Sequence, residues 1–279
     1  MPDWDHILET LDLSGEVPLP VSGGDISAAW RAGNVFLKTG PESAYDMFAA
    51  EAEGLAELAS ANTVRVPRVL ACGMSPDTAF IAFEWLDMER PTRSVESRLG
   101  EQLAALHHAT RDRFGWHRDN TIGLTPQHND WSDDWVGFFR DKRLGFQLDL
   151  AARNGFTGSL QTTGARLLKR LPIFFESYTP KPSLLHGDLW GGNWGSCNGE
   201  PVIFDPAVYY GDPESDLAMT RLFGGFGTAF YEAYDAHMPP AAGSHDRCML
   251  YQLYHVLNHL NLFGSSYKGR AQDLINNLL

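Results

Sequence analysis

The chain of 279 residues lacks several features that would narrow its class at once. It has only three cysteines, Cys72, Cys197 and Cys248, far apart and without a CxxC pair. That excludes a thiolate zinc centre and a disulfide scaffold. Scattered free thiols of this kind point to a reducing compartment. Cationic side chains are few: 22 Lys and Arg stand against 35 Asp and Glu, a net charge of −13, and no dense basic run occurs. A nucleic-acid partner is therefore not expected, because phosphate neutralisation needs a basic face. No window reaches the ~18–20 uninterrupted apolar residues of a membrane helix, so no membrane partner is expected. The opening MPDWDHILET is acidic where a secretory leader is basic, which makes a cytoplasmic location the expectation. Two common phosphate-binding patterns, G-x-G-x-x-G and G-x-x-x-x-G-K-[ST], are also missing.

What remains is an ordinary globular composition, 43% hydrophobic and 20% charged. A chain this long buries a large core without cross-links and suits one large domain or two modest ones. Its first third reads as short strands: Val17–Ser22, Ile26–Arg31, Asn34–Lys38, Arg68–Cys72 and Thr78–Trp85. Gly23-Gly24-Asp25 and Ala32-Gly33 punctuate them as turns. Glu42–Ser60, rich in Ala, Glu and Leu, predicts the one helix of this part. Beyond Asp87 the periodicity is helical, over Val95–Ala109, Asp134–Ala152, Thr162–Ser177, Asp216–His237 and His245–Leu262. A hairpin is expected at Trp194–Phe204, turning on Asn198-Gly199, and an ordered loop at Arg111–Ser132. The sequence thus predicts an α+β chain with a β-rich N-terminal lobe, residues 1–87, and a mainly helical C-terminal lobe, residues 88–279.

The most informative stretch is His186-Gly187-Asp188-Leu189-Trp190-Gly191-Gly192-Asn193. Asp followed five positions later by Asn is the spacing of a kinase catalytic loop, where Asp accepts the acceptor's hydroxyl proton and Asn holds magnesium. An isolated Asp–Asn pair also shapes turns. Here Val202-Ile203-Phe204 then delivers Asp205, a second hard oxygen ligand suited to magnesium, and the set in register favours the chemical reading. Upstream, Val35-Phe36-Leu37-Lys38 ends a strand with a lysine, like the kinase V-A-I-K element whose lysine pairs with phosphates and a helix glutamate. Glu51 and Glu53 compete for that partnership. Met47, Glu51, Leu55 and Leu58 share one helical face, so Glu51 is the expected partner and Glu53 a solvated charge. Gly23 and Gly24 form a candidate phosphate-covering turn, with an ordinary hairpin turn as the alternative. Glu84-Trp85-Leu86 marks the junction of the lobes, where an adenine would meet backbone groups. The histidines, including His107-His108, show no metal-ligand spacing.

Taken together, these segments resemble the fructosamine/ketosamine 3-kinase family within the aminoglycoside- and choline-kinase group. The resemblance is carried by LLHGDLWGGNW (184–194), FDPAVYYGDPESDLAMTRLFGGF (204–226), YHVLNHLNLFG (254–264) and IGLTPQHNDWSDDWVGFF (122–139), with VFLKT and MFAAEAEGL (47–55). It implies a protein-kinase-like two-lobed fold: a small antiparallel sheet with one helix, then a helical lobe, with ATP and Mg2+ between them. The implied reaction is phosphorylation of the 3-hydroxyl of a free or protein-linked ketosamine, a deglycation step. By matching position, Asp188 is the base, Asn193 and Asp205 hold magnesium, Lys38 and Glu51 form the phosphate-binding pair, and Glu84–Leu86 form the adenine hinge. Asp216 would anchor the catalytic loop. Asp205-Pro206-Ala207 replaces the D-F-G of protein kinases, and Pro213 stands where many relatives carry a basic residue. Trp190 is the leading candidate to stack on the sugar, with Tyr209, Asn258 and His259 as polar contacts and Trp116, Trp131 and Trp135 behind them. Two rivals remain at this stage: an aminoglycoside- or choline-type phosphotransferase, and an ATP-binding pseudokinase scaffold. Carboxylates around a polycation or an aromatic cage around choline would mark the first, and missing turnover the second.

Overall fold

The structure is a computed structural model that describes residues 2–21 and 26–279. The candidate turn residues Gly23 and Gly24 lie outside the described residues. Five strands form one antiparallel sheet in the order β1-β2-β3-β5-β4: β1 (Leu19–Pro20), β2 (Ala28–Ala32), β3 (Val35–Pro41), β4 (Val69–Ser75) and β5 (Thr78–Glu84). β3 sits centrally, with Lys38 opposite Ala29 on one side and Ile81 on the other. Apolar residues fill both faces. Leu37, Phe80 and Ala82 pack on one, Phe48, Leu55, Ile81 and Phe83 on the other. The first face is covered by a helix that the sequence reading did not anticipate, α1 (Trp4–Thr10), through Ile7 and Leu8. Its seven residues are too short for a clear periodicity, so two helices rather than one accompany the sheet. The second face carries α2 (Tyr45–Ser60) after a short 3-10 turn.

The remainder is helical around one large core. α3 (Arg93–His107) buries Leu99, Leu103 and Leu106 completely, as their spacing predicts. The expected loop at Arg111–Ser132 contains a small hairpin, β6 (Asn120–Ile122) and β7 (Thr125–Gln127). The helix expected over Asp134–Ala152 starts on an Asp134 cap as α4 (Trp135–Phe138). It passes through a π-helical turn and continues as α5 (Phe146–Arg153), with α6 (Ser159–Arg170) following. Two strand pairs then appear: β8 (Ser183–Leu185) with β11 (Tyr209–Gly211), and the hairpin β9 (Trp194–Cys197) with β10 (Glu200–Ile203). The single helix expected over Asp216–His237 is two, α7 (Glu214–Leu222) and α8 (Thr228–His237). Gly224 and Gly225 between them take left-handed backbone, φ 76° and 95°, which ends α7. α9 (Ser244–Phe263) and α10 (Lys268–Leu278) complete the chain. No helix among the described residues is long and apolar enough to cross a membrane.

Candidate active site

The candidate catalytic loop begins where β8 ends, and its shape is over-determined. Gly187 has φ +83°, and a Cβ there would lie 2.0 Å from the Ala207 carbonyl oxygen, so no L side chain fits. The Asp216 carboxylate, in the first turn of α7, accepts the His186 and Gly187 amides at 2.8 Å each. It also faces His107 Nε2 at 3.2 Å, and His107 Nδ1 meets the Tyr234 hydroxyl at 2.7 Å. Burial alone would raise the Asp216 carboxyl, yet His107, His186 and the Gly187 amide hold it below its ordinary value. Asp216 therefore supports the loop from behind. His186 Nε2 donates to the Phe204 carbonyl at 2.9 Å, while its Nδ1 accepts the Asp188 amide at 3.3 Å. Burial pushes this imidazole toward its neutral form, which that donor–acceptor pair requires.

Asn193 closes the loop. Its Nδ2 donates to the Asp188 carbonyl at 2.9 Å and lies 3.4 Å from Asp188 Oδ2 and from the Asp205 carbonyl. With the nitrogen so committed, the amide oxygen is the group left for a ligand. Asp205 leaves β10 in left-handed backbone, φ 56°, uncommon for a non-glycine residue, and keeps its carboxylate 39% exposed. These two hard oxygens fit magnesium, which takes most of its positions from water and phosphate. No closed cage of three or more His, Cys, Asp or Glu exists among the described residues, as zinc would need. Burial, with repulsion from Asp205 and Asp216, pushes the Asp188 carboxyl up to about 7, where a base works best near neutral pH.

Lys38 Nζ lies 2.7 Å from Glu51 Oε1 and 2.6 Å from Asp205 Oδ1. Burial alone would lower the lysine, but the two carboxylates raise it, so it stays an ammonium. Burial pushes Glu51 up, against the attraction of Lys38. Glu53 is exposed, as its helical position suggests, but it is not unpaired. It pairs with His117 Nε2 at 2.8 Å and Arg118 Nη1 at 2.6 Å, because the segment before β6 packs on that side of α2. At the junction, the Glu84 and Trp85 amides are taken by the Arg68 and Asn34 carbonyls at 3.0 and 2.8 Å. The Leu86 amide donates to no backbone carbonyl among the described residues. The Glu84 carboxylate turns to the Arg68 amide at 3.1 Å, and all three junction residues line the cleft.

The cleft, about 1220 Å³, lies between the sheet and the helical part. Its far wall is aromatic. The His259 ring lies 4.8 Å from Phe223, 5.4 Å from Phe263 and 5.1 Å from Tyr267, and Phe223 meets Trp190 edge-on at 6.4 Å. Trp190, 38% exposed, rests on Gly192, where a Cβ would come within 2.3 Å of the ring. Asn258 lines the floor with its Oδ1 accepting from Gln147 Nε2 at 3.1 Å. His259 Nδ1 is used on the His255 carbonyl at 2.8 Å, as its tautomer allows. Tyr209 is a correction. It is buried in the core with the Arg143 guanidinium 4.1 Å above its ring, because β11 turns that side chain inward, and it does not line the cleft. Trp116 and Trp135 are likewise core residues, and Pro213 opens α7 away from the cleft. Phe223, Phe263, Tyr267 and Asn120 line the cleft and were missed. The spacing of four from His259 to Phe263 to Tyr267 is a signal present in the sequence, whereas Phe223, at the end of α7, and Asn120, at the start of β6, carry no comparable spacing. Among the described residues, the carboxylates that line the cleft are Glu51, Glu84, Asp87, Asp188 and Asp205. None of them stands on the aromatic wall.

A strand lysine held by a helix glutamate, facing a loop aspartate across a cleft, is how protein-kinase-like phosphotransferases are arranged. The same α+β fold occurs in a solved aminoglycoside phosphotransferase in ternary complex with ADP and hygromycin B, with TM-score 0.69 and 16% identity over 100% of this chain and 98% of that one. That likeness is one of fold alone. Residues 11–279 match the fructosamine kinase family, and the chain belongs to it. It is 43% identical to the chloroplastic protein-ribulosamine 3-kinase of Arabidopsis thaliana, over 93% of this chain and 81% of that protein. It is 44% identical to a probable ketoamine kinase of Synechocystis sp., over 93% of this chain and 89% of that protein. A crystal structure from Haemophilus somnus 129PT, assigned as a fructosamine-3-kinase, superposes with TM-score 0.91 at 31% identity, covering 99% of this chain and 97% of that one.

Proposed function

We propose that this member of the fructosamine kinase family is an ATP-dependent kinase that phosphorylates the 3-hydroxyl of ketosamines, with Mg2+, in a deglycation role. Residues 1–87 would hold the nucleotide, and residues 88–279 would carry the base and the acceptor wall. The observation that carries the reading is the meeting, in one cleft, of a phosphotransfer set with an acceptor wall that, among the described residues, has rings and no carboxylates. Polycationic aminoglycosides call for carboxylates on the acceptor side, so that rival is disfavoured. A pseudokinase scaffold would have no use for the combination of Asp188, Asn193, Asp205 and Lys38.

In this mechanism Asp188 orients the acceptor hydroxyl and takes its proton as the new O–P bond forms and the bond to ADP breaks. Lys38, held by Glu51, pairs with phosphate oxygens, and the Leu86 region receives the adenine. Asp205 and the Asn193 amide oxygen would hold magnesium, which supplies charge neutralisation for the triphosphate. Trp190 and His259 offer flat apolar faces to the C–H surface of the sugar. Most of the barrier reduction comes from positioning and charge, without a covalent enzyme intermediate.

The test is transfer from ATP with Mg2+ to fructosyl-lysine, ribulosyl-lysine and kanamycin, with phosphorus NMR of the products. Phosphate on the 3-oxygen of a ketosamine is the expected result. Transfer to kanamycin alone would overturn the acceptor and leave the kinase standing. No ATP turnover with any acceptor would overturn both.

A further inference from the structure

The outer face of α2 is tied to the helical part by groups that the mechanism above does not use. Glu57 Oε1 accepts the Tyr210 hydroxyl at 2.5 Å and Arg111 Nη2 at 3.2 Å. One turn earlier, Glu53 holds Arg118 and His117, and Arg118 also reaches the Asp46 carbonyl at 3.4 Å. Between them Gly54 brings the helix so close that a Cβ would stand 3.1 Å from Val208 Cγ2 and 3.7 Å from Pro206 Cγ. An isolated exposed ion pair contributes little. Here two acidic side chains and a close backbone approach act together on one side of a single helix.

The landing points matter. Tyr210 pairs with Leu184 in β8, the strand that runs directly into His186-Gly187-Asp188. Its amide and carbonyl also exchange bonds with Gly115 at 2.8 and 2.9 Å, in the same segment as Arg111, His117 and Arg118. Pro206 and Val208 belong to the stretch that follows Asp205. So α2 is registered at once against the strand behind Asp188 and the segment carrying Asp205, while another side of it presents Glu51 to Lys38.

We propose that Glu53, Glu57, Tyr210 and Arg118 are positioning residues, an interlobe clasp that assembles the Lys38–Glu51 pair before nucleotide arrives. The activity arm of its test rests on the kinase reading above, and the exchange arm does not.

Tyr210→Phe removes one hydroxyl and keeps the packing, and Glu57→Gln removes the charge. Hydrogen exchange of the α2 amides in the ligand-free proteins should quicken in both variants, beyond any change in the rest of the molecule. The KM for MgATP should rise about 5-fold in Tyr210→Phe, with a smaller change in kcat. In a Glu51→Gln background the same substitution should add less than about 2-fold, because no pair remains to be aligned. Unchanged exchange in α2, or an equal penalty in both backgrounds, would overturn the clasp. If exchange responds but no ketosamine is phosphorylated, the acceptor reading fails and the clasp stands.

Discussion

On the sheet side of the cleft, and along the catalytic loop below it, each side chain assigned to the chemistry is held by another polar group. Lys38 has Glu51 and Asp205, Asn193 has the Asp188 carbonyl, and the loop itself has Asp216 behind it. Across the cleft, Phe223, His259, Phe263 and Tyr267 are positioned mainly by contact with one another, and Phe263 is 53% exposed. The contrast separates two tasks. On the proposed reading, phosphoryl transfer needs charges at fixed distances, so the residues assigned to it are cross-braced and the loss of one should slow transfer to every acceptor. Stacking against a sugar is shallow in energy and broad in angle, so an aromatic wall in the proposed acceptor role would tolerate change and adjust which acceptor is held.

Substitutions on the braced side should fail whatever the acceptor. Asp188→Asn, the largest effect, should cut turnover by ~10²–10⁴-fold while nucleotide affinity barely moves, because the base acts only on the hydroxyl proton. A nucleotide-binding titration beside the turnover assay separates the two, and a parallel loss of affinity would contradict the assignment. Asp205→Asn should cost on the order of 10²-fold, since a neutral amide holds magnesium poorly and leaves the phosphate charge uncompensated. Activity near that of the wild type at saturating magnesium would remove Asp205 from the metal site. Glu51→Gln should cost about 10-fold, more than Glu53→Gln, which loosens a tie of α2 without touching Lys38.

The aromatic side sharpens the comparison through a split in kinetic constants. Trp190→Leu should raise the KM for the ketosamine about 10-fold, with kcat and the KM for ATP little changed. A drop in kcat alone would place Trp190 among the supports of the catalytic loop.

The smallest effect is a titration. In the protein free of metal and nucleotide, Asp188 should protonate as pH falls through about 7, because burial and the neighbouring carboxylates disfavour its charge. Asp205→Asn removes one of those charges, so the midpoint should fall toward the ordinary carboxylate value. Carbon NMR of labelled aspartate reads it directly, and an unmoved midpoint would mean that burial and Asp216 set the value without Asp205.

Much of this site was legible in the sequence because its parts are local. The interval from Asp188 to Asn193 is a single loop, and the strand end at Lys38 is a run of apolar residues. The face of α2 that carries Glu51 follows from helical periodicity. The hairpin at Asn198-Gly199 was readable for the same reason: both residues take left-handed backbone, φ 54° and 73°, which that dipeptide favours. Where local preference met tertiary packing, the reading slipped. Tyr209 carries a polar handle in a motif full of functional residues, yet strand alternation in β11 points it at Arg143 in the core. The span from Asp216 to His237 has helical composition throughout, and the paired glycines at 224 and 225 break it.

The sequence by itself determined the two-part α+β plan, the catalytic loop, the lysine–glutamate pairing and the family. The loop and the pairing are written in short local spacings, and the plan and the family in a succession of such segments along the chain. Only the tertiary structure decided which glutamates of α2 tie it to the helical part, which aromatics meet around His259, and what stands behind Asp188. Glu57 and Tyr210 are 153 positions apart, and Lys38 and Asp205 are 167 apart. Contacts at such separations arise when sheet and helices close on each other, burying charges that must then find partners or pay the cost of desolvation.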